Sequence, residues 1–387
     1  MRVFRSGNSY EARERLAFLG AEGPDLDAFL RELRTLIVVA PLVLAGASLL
    51  PLSRFLAGRG IPVLRTKSHL LFSVSTPDVL AGSPAAEPWG GVLRLAAGAV
   101  ARYSTSAFRV SIPDGVLELD GTPLVMGVLN VTPDSFSDGG AYRSPEEAAE
   151  KGLEMEAHGA AILDVGGEST RPGSMPVPAD EEMRRVIPVI RRLAAKAKAA
   201  ISVDTTKAAV AKEAIAAGAR IVNDTSALAD DPGMSTVVRA SGVAVVLMHR
   251  RGAPATMQEA PRYDSLFDEL LTELSDRIDA ATGAGIDRDR ILVDPGIGFG
   301  KRLCDNLALH RFLEDLRVLG RPIVFGPSRK SFIAALTGAA TAERAFGTAA
   351  SVAAAVMNGA HVVRVHDVKE MREVVRVADA IRGAAAC

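Results

Sequence analysis

MGVLNVTPDSFSDGG, Met126 to Gly140, joins an apolar run to a turn dense with polar groups and closes on two glycines. Val125 to Leu129 is short and uncharged, the composition of a strand buried on both faces. After it, Asn130, Thr132, Asp134, Ser135, Ser137 and Asp138 crowd donors and acceptors into one turn. Pro133 fixes φ there, and Gly139 and Gly140 permit backbone that other residues resist. Polar residues with Pro and Gly also make ordinary turns, so the meaning of the stretch depends on what surrounds it.

From Leu124 onward the same rhythm recurs: apolar run, polar loop, amphipathic helix with an alanine-rich face. The runs are Leu124–Leu129, Ala161–Val165, Ile201–Val203, Ile221–Asn223, Ala244–Met248, Ile291–Val293, Ile323–Gly326 and His361–Val365. Ser144, Pro145 and Glu147 open the first helix as a capping-box pattern with Pro at its first position. Eight alternations predict an α/β fold, a (β/α)8 TIM barrel whose functional groups lie at the carboxyl ends of its strands. A doubly wound open sheet also alternates, but eight units with polar clusters after nearly every run favour the closed barrel. Phe108 to Asp120 alternates around Pro113-Asp114-Gly115 and predicts a hairpin that plugs the barrel floor.

The chain thus divides into 106–387, the barrel, and 1–105, a small α/β accessory domain. In the latter, helices are expected near Ser9–Leu19 and Asp25–Leu33, with Asp25 as a cap, a strand over Leu70–Ser75, a loop over Gly82–Pro88 and a helix over Gly91–Tyr103. Leu36 to Leu52 is uncharged and near the lower length limit for a membrane span. Pro41, Gly46 and Pro51 interrupt it, so a buried strand followed by a short helix is expected instead. His69 and Trp89 read as packing or surface residues.

Forty-five basic and 46 acidic residues nearly cancel, which gives no electrostatic grip on nucleic acid. Cys304 and Cys387 make neither a disulfide framework nor a zinc site, as in a reducing compartment. The charged first residues lack an apolar h-region, so no signal peptide is expected.

Each run ends in groups that a merely structural loop does not need. After the second come Asp164, Glu168, Ser169, Thr170 and Arg171; after the third, Asp204; after the fourth, Asn223 and Asp224. The fifth ends in Met248, His249 and Arg250, the sixth in Asp294 and a glycine-rich turn through Phe299 to Lys301. The seventh gives Ser328, Arg329 and Lys330, the eighth Arg364, His366 and Asp367. In one barrel these face a common mouth. Arg364 and His366, two apart on a strand, share one side of it and can hold anionic oxygens together.

NVTPDSFSDGG, GGESTRPG (Gly166 to Gly173), SVDT (Ser202 to Thr205), IVND (Ile221 to Asp224), LMH (Leu247 to His249), DPGIGFGK (Asp294 to Lys301), SRKS (Ser328 to Ser331) and RVHD (Arg364 to Asp367) resemble, in order, the dihydropteroate synthase family. These folate-pathway enzymes join a pterin diphosphate to p-aminobenzoate. The resemblance runs from about Leu124 to the end and leaves the first third unexplained. It implies condensation of 6-hydroxymethyl-7,8-dihydropterin diphosphate with p-aminobenzoate to 7,8-dihydropteroate, by dissociative loss of diphosphate and attack of the aryl amine. No dedicated catalytic base is then required. The resemblance makes Asp204, Lys330, Asp138 and Asn130 the catalytic set. Asp204, Asn223, Met248, Asp294, Phe299 and Lys330 become the pterin pocket, and Asn130, Thr170, Arg364 and His366 the diphosphate site. Phe136, Thr170, Arg171, Pro172 and Ser331 fall in the p-aminobenzoate region, and Asn130 and Asp138 are associated with Mg2+. It further implies a cytoplasmic homodimer whose partners are small molecules, with neither nucleic acid nor membrane. His249 and Lys301 are expected to support the site by hydrogen bonding from behind. Two other readings stand beside it: a pterin-binding methyltransferase acting on a corrinoid, which has no diphosphate to hold, and a non-catalytic pterin-binding protein.

Overall fold

The computed structural model describes residues 90–131, 144–169, 176–253 and 256–384 and, before Gly90, segments 2–5, 36–41, 43–44, 47–48, 55–57, 61–65 and 69–74 with Leu26, Phe29, Leu52 and Arg59. They form two compact units, Met1–Ser106 with Glu314–Gly320, and Ala107–Leu313 with Arg321–Cys387.

In the first unit β1 (Arg2–Arg5), β2 (Leu36–Pro41), β5 (Val63–Arg65) and β6 (His69–Val74) make an antiparallel sheet of order β1-β2-β6-β5. β3 (Val43–Leu44) pairs with β4 (Ala47–Ser48). The expected strand over the start of 36–52 is therefore present. A two-residue ladder comes next, and helical residues follow at Leu52 and Phe55–Ala57. Helix α1 (Gly90–Ser104) buries Leu93, Ala96, Ala99, Val100 and Tyr103. Arg102 Nε donates to Val318 O at 2.7 Å, and the Arg317 guanidinium lies 5.1 Å from the Tyr103 ring centroid. Burial pushes the Tyr103 hydroxyl pKa far up, and Glu314 and Asp315 add to it. The expected helix at Ser9–Leu19, the Asp25 cap, the Gly82–Pro88 loop and Trp89 lie outside the described residues.

The second unit opens with a hairpin, β7 (Phe108–Ile112) and β8 (Gly115–Leu119), turning through Pro113 and a left-handed Asp114 at φ 62°. Eight strands follow: β9 (Leu124–Asn130), β10 (Ile162–Gly166), β11 (Ala200–Asp204), β12 (Ile221–Asp224), β13 (Ala244–Met248), β14 (Ile291–Asp294), β15 (Val324–Phe325) and β16 (Val362–Val365). They are parallel, in the order β14-β13-β12-β11-β10-β9-β16-β15, and a parallel bridge between Val293 and Ile323 joins the two outer strands. The ring closes into a TIM barrel. The seventh strand is shorter than Ile323–Gly326 because Pro322 and Pro327 bracket it without an N–H to give to the ladder.

The helices between strands are α2 (Pro145–Ala157), α3 (Ala179–Ala194), α4 (Ala208–Ala216), α5 (Met234–Ser241), α6 (Leu266–Gly283), α7 (Leu303–Arg311), α8 (Ser331–Thr337), α9 (Ala345–Met357) and α10 (Val368–Gly383). Ser144 caps α2, its Oγ accepting from Glu147 N–H at 3.3 Å, with Pro145 at the first helical position. Strands sealed between such helices and the barrel interior read as uninterrupted apolar runs, and those of β10 to β14 are buried throughout. At the amino ends of the strands, Val110, Leu117 and Leu119 of the hairpin pack with Met126, Ile162, Ala200, Ile221, Ala244, Leu292, Val324 and Val362. The hairpin thereby closes the barrel floor.

Candidate active site

At the carboxyl ends of the strands a pocket is lined by Asp204, Asn223, Thr225, Met248, Asp294, Gly296, Ile297, Phe299, Gly326, Lys330 and Arg364. All six residues expected to hold a pterin are among them. Asp204 and Asp294 end β11 and β14, Asn223 is the last residue but one of β12, and each is nearly buried. Met248 and Phe299 form an apolar cluster with Met257, a residue that the sequence reading did not single out because it comes from an irregular loop without periodicity. The Lys330 ammonium stands 4.1 Å from the Phe299 ring centroid, within the range of a cation–π contact.

One charge network organises the mouth. Arg364, on β16, donates from Nε to Asp164 Oδ2 at 2.7 Å and from Nη2 to Asp204 Oδ2 at 2.6 Å. Asn223 Nδ2 also donates to Asp164 Oδ2, at 3.1 Å. Among the described residues, Asp164 Oδ1 and Asp204 Oδ1 are buried without a hydrogen-bond partner. Burial pushes Asp204 up to about 7, against the pull of Arg364, and likewise raises Asp294, whose Oδ1 accepts from Gly296 N–H at 2.6 Å. The two carboxylates hold the Arg364 guanidinium firmly charged despite its burial.

His366 stands outside the cavity lining, beside it. Its backbone N–H donates to Ser328 Oγ at 3.2 Å and its Nδ1 is 2.9 Å from the same oxygen. Where the Ser328 hydroxyl gives its hydrogen to Nδ1, Nε2 is the protonated nitrogen. Burial, then the neighbouring Arg364 and Arg329 cations, lowers this imidazole to about 3, so His366 is a neutral donor.

Lys330 follows a strained residue. Arg329 is left-handed at φ 57°, a conformation that persists where surrounding bonds over-determine it. Here they do: its guanidinium grips Asp367 at 2.5 and 3.2 Å, its N–H donates to Thr348 Oγ1 at 3.1 Å, and its carbonyl accepts from Arg344 at 2.9 Å.

The opposite wall, Asp294 to Lys301, is fixed from behind. Asn306 Oδ1 accepts from Gly298 N–H at 2.7 Å, Tyr263 donates to Gly300 O at 2.9 Å, and Gln258 donates to Gly298 O. Lys301, buried, reaches Phe299 O at 3.1 Å and His249 Nδ1 at 3.0 Å. His249 Nε2 in turn meets Glu273 at 3.0 Å, which Arg251 also holds. His249 and Lys301 thus point away from the cavity and tie the β13 loop to the β14 loop. Burial depresses His249 to about 4 and Lys301 to about 7. Gly296, at φ 67°, passes so close to His249 O that a Cβ would overlap it. Gly296→Ala is expected to cost about 3 kcal/mol or more of stability, combining left-handed strain with that overlap. A urea midpoint unchanged from wild type would show that the wall yields.

Asn130 ends β9 half-buried, and its Oδ1 and Asp204 Oδ2 flank Gly166, each 3.8 Å from where a Cβ of that glycine would stand. Ser331 opens α8, exposed, next to Lys330. Phe136, Asp138, Thr170, Arg171 and Pro172 lie outside the described residues. At the start of the second loop, Lys207 joins Glu168 to the buried Glu182 of α3. Asp224 turns back on its own loop, its oxygens accepting from Ser226 and Leu228 at 2.7 to 3.0 Å.

A TIM barrel whose mouth sets carboxylates, an amide, an ammonium and a guanidinium around one pocket is the architecture of the pterin binding enzymes, whose family model matches residues 126–366. The chain belongs to that family. Within it, the relatives are dihydropteroate synthases: that of Escherichia coli (strain K12) is 46% identical over 258 residues, 67% of this chain and 91% of that protein. That of Bacillus subtilis (strain 168) is also 46% identical, over 67% of this chain and 88% of its own. Among solved structures, Yersinia pestis dihydropteroate synthase with a sulfonamide drug complex is 40% identical, with a TM-score of 0.69 over 72% of this chain and 100% of its own. The Xanthomonas albilineans enzyme in complex with 7,8-dihydropteroate is 43% identical, with a TM-score of 0.65 over the same shares.

Proposed function

We propose that this chain is a transferase of folate biosynthesis, a dihydropteroate synthase, condensing 6-hydroxymethyl-7,8-dihydropterin diphosphate with p-aminobenzoate to give 7,8-dihydropteroate and diphosphate. The observation that carries the reading is the convergence of Asp204, Asn223, Met248, Asp294, Phe299 and Lys330 on one pocket. A pterin edge alternates donors and acceptors. Carboxylates take its amino and ring N–H hydrogens, the Lys330 ammonium serves its oxygen or ring nitrogen, and Met248 and Phe299 supply apolar walls. The family relatives support the same reaction.

The diphosphate is held by donors at the rim. Two Arg364 nitrogens are taken by Asp164 and Asp204, so Nη1 serves the anion, together with the His366 Nε2–H. Departure of diphosphate leaves positive charge on the pterin methylene. Asp204, in the same cavity, supplies the opposing negative charge. The aryl amine of p-aminobenzoate attacks that carbon without a strong base; the resemblance assigns its region to Phe136, Thr170, Arg171, Pro172 and Ser331.

Mg2+ takes oxygen ligands and retains several waters, so one or two protein oxygens together with diphosphate oxygens suffice. The Asn130 amide oxygen, facing the same mouth as Asp204, fits that requirement, and Asp138 is the second donor. When bound, the ion neutralises charge on the leaving diphosphate. The chain acts in the cytoplasm on small molecules. Among the described residues no helix is long and apolar enough to cross a membrane. It assembles as a homodimer through barrel helices, supported by Leu336, Phe346 and Met357, which are 56%, 91% and 44% exposed on α8 and α9. Phe346→Asp is expected to shift the sedimenting species from dimer to monomer; a wild-type chain that is already monomeric overturns this.

The deciding assay incubates purified chain with both substrates and Mg2+. Equimolar dihydropteroate and diphosphate are expected. Pterin binding without product would leave a binding protein, and methyl transfer to a corrinoid would make it a methyltransferase.

A further inference from the structure

Asp164 sits behind the cavity wall rather than in it. It is wholly buried on β10, yet its Oδ2 joins two cavity residues, accepting from Asn223 Nδ2 at 3.1 Å and from Arg364 Nε at 2.7 Å. A carboxylate oxygen engaged by a guanidinium offers only lone pairs. Asn223 must therefore turn its NH2 toward Asp164, and the planarity of the amide sends Oδ1 the other way, to the cavity that Asn223 lines. An asparagine can otherwise present either end of its amide to a ligand. Here one neighbour removes the choice.

We infer that Asp164 is a positioning residue for substrate recognition: by holding Asn223 Nδ2, it makes Asn223 an acceptor and so selects a heterocycle with an N–H donor at that point. Through the same oxygen it orients Arg364 alongside Asp204. The inference rests on the reading that this cavity takes the pterin ring.

An exchange of side chains tests it. Asp164→Asn is nearly isosteric but can donate as well as accept, so the Asn223 amide is freed to rotate. The KM for the pterin diphosphate is expected to rise at least about tenfold, the effect of one hydrogen bond to a charged group, while that for p-aminobenzoate stays within threefold. Asn223→Asp alone sets two carboxylates against each other and is expected to bind more weakly still. The double variant D164N/N223D restores the hydrogen bond with donor and acceptor exchanged between the two positions, and still offers the cavity an acceptor oxygen. It should bind the pterin diphosphate at least about tenfold more tightly than N223D by titration calorimetry. If D164N does not fold, the comparison of the double variant with N223D decides alone. D164N within threefold of wild type, or a double variant no better than N223D, overturns the inference. Unaltered pterin binding by Asn223→Ala would instead overturn the reading of the cavity itself.

Discussion

Lys330→Ala should bind the pterin diphosphate between about ten- and one-hundred-and-fifty-fold more weakly than wild type, the loss of a hydrogen bond to a charged group, about 1.5–3 kcal/mol. The lysine lines the cavity beside Asp294 and Phe299, and its ammonium is one of the cations that hold down the raised Asp294 pKa. Removing it takes a donor from the ligand and at the same time leaves Asp294 more dependent on burial alone. Lys330→Met separates the two contributions of the side chain, since it keeps an apolar stem against Phe299 without the charge. If the ammonium matters, K330M should fall nearly as far as K330A in titration calorimetry, with both urea midpoints close to wild type. Affinity within threefold of wild type in K330A would remove Lys330 from the pocket.

The strands were legible in the sequence because a parallel barrel writes itself locally: each buried strand is a short apolar run, and each run stops where its polar group reaches the mouth. The seventh was overestimated because Pro322 and Pro327 look like loop residues and act as limits on the ladder. The groups facing the cavity were legible for the same local reason, since they end those runs. What binds them together was not. Arg364 meets Asp164 and Asp204 across separations of 200 and 160 residues, and no pattern in a window of sequence encodes that pairing. Arg364 therefore read as a free cation for an anion, when two of its nitrogens already hold carboxylates. Met257 was missed because an irregular loop carries no periodicity; Arg329 was named among the groups that end the seventh run, but the left-handed backbone it holds ahead of Lys330 has no signature in the sequence. The tie between His249 and Lys301 has a local trace only in Gly296, where the backbones approach too closely for any side chain.

Arg364→Met should lower stability by about 3–5 kcal/mol at pH 8, because breaking a buried ion pair leaves charge uncompensated. Two carboxylates lose their partner at once: Asp164, wholly buried, and Asp204, 6% exposed. The pH dependence identifies the cause. In the wild type, burial holds Asp204 at about 7, above its ordinary 3.8, so the folded state keeps a proton that the unfolded state releases. The stability from that proton is fully present below about pH 4 and is lost as pH rises through about 7. Without Arg364, which pulls the value down, Asp204 moves higher still. The penalty of R364M relative to wild type should therefore be level from pH 4 to about 6, where the Asp204 carboxyl is neutral in both folded proteins, and should grow only as pH rises through about 7 and Asp204 ionises in the wild type alone, by up to about 1.4 kcal/mol per pH unit. Urea unfolding of both proteins at pH 4, 6 and 8 measures it. A penalty that is flat across that range would mean that the arginine contributes packing rather than charge, and the mouth would then not be organised by the Asp164–Arg364–Asp204 network.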